Sequence, residues 1–222
     1  MTDQEQFEEI FTTHITRQGS TELLEWMKKT DFFTAPASTR FHCACKGGLL
    51  KHSINVYRVL RERYFEEGDS EESFAICGLL HDICKTQFYK ESTRNVKNEQ
   101  TGQWEKQPYF TVEDSFPYGH GEKSVFMIER FLRLKTSEAV AIRWHMGGFD
   151  DAARAGNFAI SLAYDKYPIA VKLHLADLEA TYLREKGTSD IPNLPSLLFA
   201  VFFQHITLVC DTGTFALQVI VL

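Results

Sequence analysis

The segment Ala75-Ile76-Cys77-Gly78-Leu79-Leu80-His81-Asp82-Ile83-Cys84-Lys85 constrains this chain more than any other. It reads as the last turns of an apolar helix that ends in two adjacent side chains of the kind that bind metals. Helix neighbours recur at three and four residues, so Phe74, Cys77, Gly78 and His81 share one face and His81 points where the core points. Asp82 stands beside it at the helix end. An unpaired carboxylate buried among Leu79, Leu80 and Ile83 would cost on the order of several kcal/mol. A divalent cation shared with a neutral imidazole removes that cost. Taken alone, a His-Asp pair is more often a hydrogen-bonded core histidine next to a solvated cap. The pair gains meaning from His52, His120, His145 and Asp177, which recur on other apolar, helix-like faces.

The whole-chain properties narrow the function. A net charge of −6 argues against a broad grip on nucleic-acid backbone, so nucleic acid is a disfavoured partner. An anionic substrate must instead be met locally, by a metal or a few Lys and Arg. With 222 residues, 44% hydrophobic and 24% charged, the chain suffices for one soluble domain with a sizeable core. Five cysteines without framework spacing point to reduced thiols and a cytoplasmic location. Cys43-Ala44-Cys45 has no second Cys pair to complete a metal site, and buried or idle thiols are the better reading. The N-terminus is polar and acidic, unlike a signal peptide.

The pattern is mainly helical. Residues 2–33 read as two short helices broken at Gly19-Ser20, with Ser20 as the cap of the second. Residues 34–48 are loop-like and carry Arg40, His42 and Lys46. A helix from about Leu49 to Glu67 follows and stops at Gly68. His52 shares its inner face with Val56 and Val59. Asp69-Ser70-Glu71-Glu72 supplies cap residues for the helix that ends at His81-Asp82.

Lys90 to Pro117 is polar, and Gln100-Thr101-Gly102-Gln103 reads as a hairpin turn between Val96–Glu99 and Trp104–Gln107. Helical spacing resumes over Ser124–Leu134, and again over Glu138–His145 with Thr136 or Ser137 as its cap. Asp150–Tyr167 is loop-like. Pro168 suits the first turn of a last helix, in which Val171, His174, Asp177 and Leu178 share a face. His42 and His174 read as core residues or as supports for the ligands. The domain reading is a helical core over 1–187 and an apolar tail over 188–222. Asp211 makes that tail a poor membrane anchor, and packing against the domain or a second copy of the chain suits it better.

Five ordered elements carry a resemblance: Gly47-Gly48-Leu49-Leu50-Lys51-His52-Ser53, Leu79-Leu80-His81-Asp82-Ile83-Cys84-Lys85, Gly119-His120-Gly121-Glu122, Arg143-Trp144-His145 and Ala176-Asp177. Over about residues 40–185 the chain resembles the HD-domain superfamily of metal-dependent phosphohydrolases. Phe41-His42 through His52 is also similar to the HD portion of bacterial 3'-5' exoribonucleases, which join such a domain to an OB-fold; no five-strand OB pattern is visible here. The resemblance implies an all-helical bundle, here with a small β-hairpin insertion. It implies that His52, His81, Asp82 and Asp177 hold one metal and that Asp82 bridges to a second held by His120 and His145. Lys85 matches the lysine of the His-Asp-x-x-Lys motif.

The resulting expectation is a hydrolase that cleaves a phosphate ester or anhydride, with a nucleotide as the favoured substrate and two divalent metals as cofactors. Mn, Mg, Fe, Co and Ni are not told apart by the residues. Asp82 and Lys85 are the expected catalytic groups. Arg40, Lys46 and Arg143 are the cationic candidates for phosphate contacts, while Trp104 and Tyr109, with Phe110, offer a stacking face or else pack the hairpin. An HD-type di-iron oxygenase and a non-catalytic nucleotide sensor are the alternatives from other classes.

Overall fold

In the computed structural model, which describes residues 1–185, the chain starts with α1 (Asp3–His14) and α2 (Ser20–Lys28). Thr2 and Glu5 cap α1 reciprocally. The Glu5 amide donates to Thr2 Oγ1 at 3.2 Å and the Thr2 amide donates to Glu5 Oε2 at 2.7 Å, satisfying donors that the first turn of a helix leaves open. Ser20 begins α2 rather than capping it, and Gly19, at φ +89°, holds the cap position. Phe7, Phe11, Leu23 and Met27 are fully buried beneath these helices.

Next come α3 (Gly48–Tyr64) and α4 (Glu71–Leu80). α3 ends three residues before the expected Glu67, because the chain turns extended at Phe65. The Ser73 amide donates to Ser70 Oγ at 3.3 Å to start α4, and Glu71 and Glu72 favour the positive end of the helix dipole. Every residue from Ser73 to Leu80 is buried, which makes α4 the central helix. Gly78 lets it lie directly on α3, since a Cβ there would fall on the Tyr57 backbone. That approach brings the end of α4 to the middle of α3.

A tight 3-10 turn (Ile83–Lys85) leads into the hairpin of β1 (Tyr89–Lys97) and β2 (Trp104–Val112). The strands are antiparallel, from Tyr89 opposite Val112 at the root to Lys97 opposite Trp104 at the tip. Both run further than the expected short flanks, because ladder hydrogen bonds rather than burial hold these polar residues.

The chain re-enters the bundle as α5 (His120–Glu129) and α6 (Thr136–Trp144). α5 starts at His120, four residues before the expected Ser124. Gly121 allows its first turn to rest on α6, where a Cβ would strike the Arg143 backbone. The Lys135 amide donates to Glu138 Oε2 at 2.7 Å, so Lys135 precedes α6 and Thr136 and Ser137 lie inside it.

The expected loop over 150–167 instead holds α7 (Asp151–Arg154) and α8 (Ala159–Lys166). Asp150 Oδ1 starts α7 by accepting from the amides of Ala152 and Ala153 at 3.0 and 3.3 Å. Only Ala163 of α8 is buried and Leu162 is exposed, so its apolar residues form no core-facing stripe for a periodic pattern to reveal. α9 (Pro168–Glu179) packs against both α3 and α6. Past α9 the helix widens over Ala180–Arg184, and the Glu185 amide reaches back to the Ala180 carbonyl at 3.0 Å.

Arg17 ties the N-terminal helices to the rest. It donates to Glu138 at 2.7 and 2.9 Å and to Glu72 at 3.0 Å, and Ser73 Oγ donates to Glu138 at 2.7 Å. The fold is thus mainly α with a small hairpin insertion. No helix among the described residues is long and apolar enough to cross a membrane. The expected tail over 188–222, and the self-association assigned to it, lie outside the described residues.

Candidate metal centre

Three helices bring four of the expected ligands together. His52 comes from α3, His81 and Asp82 follow α4, and Asp177 comes from α9. His52 Nε2 is 3.3 Å from His81 Nε2, 3.2 Å from Asp177 Oδ1 and 3.5 Å from Asp82 Oδ2. The other carboxylate oxygen of Asp82 faces the other pair. His120 Nε2, at the start of α5, is 2.7 Å from Asp82 Oδ1, and His145 Nε2, just after α6, is 3.4 Å from it. One carboxylate therefore looks both ways.

The backbone sets which nitrogen of each imidazole faces the centre. His81 Nδ1 donates to the Gly78 carbonyl at 3.0 Å and His145 Nδ1 to the Ile142 carbonyl at 2.6 Å. Both acceptors require a protonated Nδ1, which leaves the Nε2 lone pairs directed inward. His145 Nε2 is buried and has no hydrogen-bond partner among the described residues. His52 and His81 direct Nε2 atoms at each other and at two carboxylates. A buried lone pair with no donor is unfavourable by itself, and a divalent cation satisfies it. The residues present fit a metal centre, and His52, His81 and Asp177, as well as His81, Asp82 and His145, are spaced to share ions.

The charges agree with this arrangement. Burial, helped by the neighbouring His145 and His52, outweighs Asp82 and pushes His81 down to about 3, so its ring is neutral and ready to ligate. Burial also opposes a charge on His52, but Glu185 and Asp177 outweigh it and raise this ring to about 10. Burial works against the charged form of His120 too, and Cys84 and Asp82 together raise it to about 10. Burial favours a protonated Asp82, yet Lys85 and the surrounding histidines hold it well below the usual carboxylate range. Lys85 Nζ lies 2.6 Å from Asp82 Oδ2. An ion held by His52 and His120 would displace a proton from each.

Beside the centre lies a cavity of about 380 Å³ lined by His52, Asp82, Lys85, His120 and Asp177 on its floor and by Phe41, Phe88, Tyr89, Val112, Phe149 and Tyr182 among its walls. The residues expected to bind substrate are placed elsewhere. Arg40 lies over the ring of the neighbouring Phe41, and Lys46 is exposed outside the lining. Arg143 is committed to Glu122 and to Asp150, at 2.5 and 2.8 Å, and stacks on Trp144. Trp104 sits at the hairpin tip, eight residues from the root, roughly 26 Å at ~3.3 Å per residue. Tyr109 lies under Arg94, and Phe110 pairs with Glu91. None of these is among the lining residues; the hairpin contributes its root, Tyr89 and Val112.

Sequence reasoning misses Glu185 and the position of Cys84. Glu185 is buried, with both carboxylate oxygens 3.2 Å from His52 Nδ1 and one accepting from Asn55 Nδ2 at 2.9 Å. Burial would raise its pKa, but His52 and Asn55 bring it down to about 2. His42 and His174 flank the ligands as expected: the His42 ring centroid is 4.8 Å from that of His52, and His174 Nδ1 donates to the His145 carbonyl at 2.7 Å.

The HD-domain family model matches residues 49–184. Comparison with curated proteins and with solved structures found no match. The matched stretch runs from the helix that carries His52 through the one that carries Asp177, more than half of the sequence, and the chain belongs to the HD-domain family.

Proposed function

We propose that this protein is a metal-dependent phosphohydrolase that cleaves a phosphate ester or anhydride, with a nucleotide as its favoured substrate. His52, His81, Asp82 and Asp177 would hold one divalent ion, and Asp82, His120 and His145 a second. The observation that carries this reading is the pair of imidazole groups on opposite oxygens of Asp82, with His145 Nε2 buried and unsatisfied. Two cations bound there supply Lewis-acid charge to a phosphoryl group and acidify a water.

The chain's own residues do the rest. Gly78 and Ile142 carbonyls hold His81 and His145 with their lone pairs inward. Lys85 keeps Asp82 ionised and leaves an ammonium beside the centre, placed to donate a hydrogen bond to a departing oxygen. The aromatic walls exclude water from an apolar substrate body and offer faces on which a base can stack. Lys85 is the one Lys or Arg among the lining residues, so the site favours a substrate with a single phosphate. A polyphosphate or a nucleic-acid strand would bring phosphates beyond those that the two ions and Lys85 can meet.

The test is metal analysis of the purified chain, then phosphate release from a panel of nucleoside mono-, di- and triphosphates. Metal near two per chain, with monophosphates turned over best, is the expected result. Asp82→Asn should remove metal and turnover together. Full metal content and turnover in that variant would sink the assignment, and oxygen consumption without phosphate release would favour the di-iron oxygenase.

A further inference from the structure

Cys84 lies two residues after Asp82 and is 97% buried. Its amide donates to Ser124 Oγ at 3.2 Å, which fastens the turn after α4 to the first turns of α5. His120 opens that helix, and the result is a thiol beside a candidate ligand. Cys84 Sγ is 3.4 Å from His120 Nδ1 and 3.8 Å from His120 Nε2. Asp82, Cys84 and His120 each offer a donor atom, all within 4.8 Å of one another. His145 Nε2, buried and without a hydrogen-bond partner among the described residues, lies 3.4 Å from the same oxygen of Asp82.

We propose that Cys84 is a ligand of the second metal, and that its sulfur makes this site selective for a thiophilic ion, Zn(II), Co(II) or Fe(II), over Mg(II) and Mn(II). The proposal rests on the two-metal reading above. A tetrahedral ion with bonds of about 2.3 Å to sulfur and about 2.0 Å to nitrogen sets those atoms about 3.5 Å apart, and Cys84 Sγ lies 3.8 Å from His120 Nε2, the nitrogen that faces Asp82, close to that value. Imidazole and carboxylate donors alone accept hard and borderline ions alike, whereas a thiolate discriminates by softness. On binding, the S–H bond breaks, its proton passes to solvent, and a sulfur lone pair forms the bond to the metal. No oxidation state changes.

The experiment titrates the metal-free full chain with Co(II) alone. A near-ultraviolet sulfur-to-cobalt charge-transfer band should grow with bound cobalt and be lost in Cys84→Ser, whose Zn(II)-over-Mn(II) preference should also fall. Cobalt bound without such a band, or a band that survives Cys84→Ser, overturns the proposal. The two-metal reading is read separately, from stoichiometry: His120→Ala should lower bound cobalt from about two to about one. An unchanged ratio removes that reading, while the band still reports on Cys84. If Cys84→Ser does not fold, X-ray absorption of the zinc-loaded native chain decides. A sulfur neighbour at about 2.3 Å supports the ligand, and a shell of only nitrogen and oxygen overturns it.

Discussion

Glu185 offers the sharpest test of how this centre is held. Its carboxylate sits 3.2 Å from His52 Nδ1 through both oxygens and is fixed by Asn55 at 2.9 Å. A carboxylate behind a metal-ligating histidine orients the ring and raises its basicity, and removing such a partner typically costs 10- to 100-fold in metal affinity. Glu185→Gln keeps an oxygen able to accept from Nδ1 but loses the charge, so its loss should lie near the lower end, about tenfold or 1.4 kcal/mol. Glu185→Ala also leaves the buried His52 Nδ1 without an acceptor, so it should approach a hundredfold, about 2.7 kcal/mol. Competition with a chelator of known affinity measures both, and circular dichroism confirms that each variant is folded. The steps should be ordered, native above Gln above Ala. An Ala variant that binds metal within about twofold of native would refute the orienting role and leave Glu185 as a packing residue.

The remaining predictions concern protons, stability and the hairpin. Because His52 and His120 are raised to about 10 and the Cys84 thiol loses its proton as a ligand, metal loading near neutral pH should release about three protons per chain. Calorimetry in buffers of different ionisation enthalpy reads this number, and zero release contradicts the ligand assignment. Burial would raise the Glu138 carboxyl, but Arg17 and Ser73 bring it below 4.5. Its stabilisation is therefore complete above about 4.5 and is lost as pH falls through the lowered value. Arg17→Met leaves this fully buried carboxylate with only the half-exposed Lys135, at 4.0 Å, as a charged partner and should cost ~3–5 kcal/mol in urea unfolding at neutral pH; a loss under ~1 kcal/mol would contradict the buried-pair account. Trp104→Ala at the hairpin tip should leave KM unchanged, whereas Phe149→Ala in the cavity wall should raise KM by the equivalent of ~1–3 kcal/mol of lost stacking. The reverse pattern would return recognition to the hairpin.

How much of this was legible depends on whether a residue announces itself locally. Helices α3, α4 and α9 show apolar periodicity and end signals, and the ligand types stand on their inner faces. Side-chain type and helix spacing therefore single out His52, His81, Asp82 and Asp177, which the structure brings within reach of one another. His120 is legible as a histidine between two glycines, but its start of α5 is not, because the reason lies in the contact between Gly121 and Arg143. The aromatic residues of the hairpin are conspicuous in sequence only because their neighbours are polar. Strand pairing over nine residues carries Trp104 away from the centre and leaves the plainer Tyr89 and Val112 beside it.

Glu185 shows where local reading must stop. Glu179 lies six residues before it, as the last residue of α9, and has the same side chain. Yet Glu179 meets Arg63 and Arg184, at 3.3 and 3.5 Å, in partly exposed ion pairs, a setting worth ~0–1 kcal/mol. Glu185 meets His52, a proposed ligand 133 residues away. What separates them is the widened turn over Ala180–Arg184, which ends with the Glu185 amide bonded five residues back. Such widened turns recur at functional sites because the extra residue redirects the side chains that follow. A ligand is marked by its own chemistry, whereas the residue that steers a ligand is marked only by the backbone that delivers it. Restoring a regular helix by deleting one residue from this turn should thus swing Glu185 away from His52 and weaken metal binding as Glu185→Ala does, with Asp177 left in place. Equal metal affinity in the deletion and native chains would show that the turn does not set the position of Glu185.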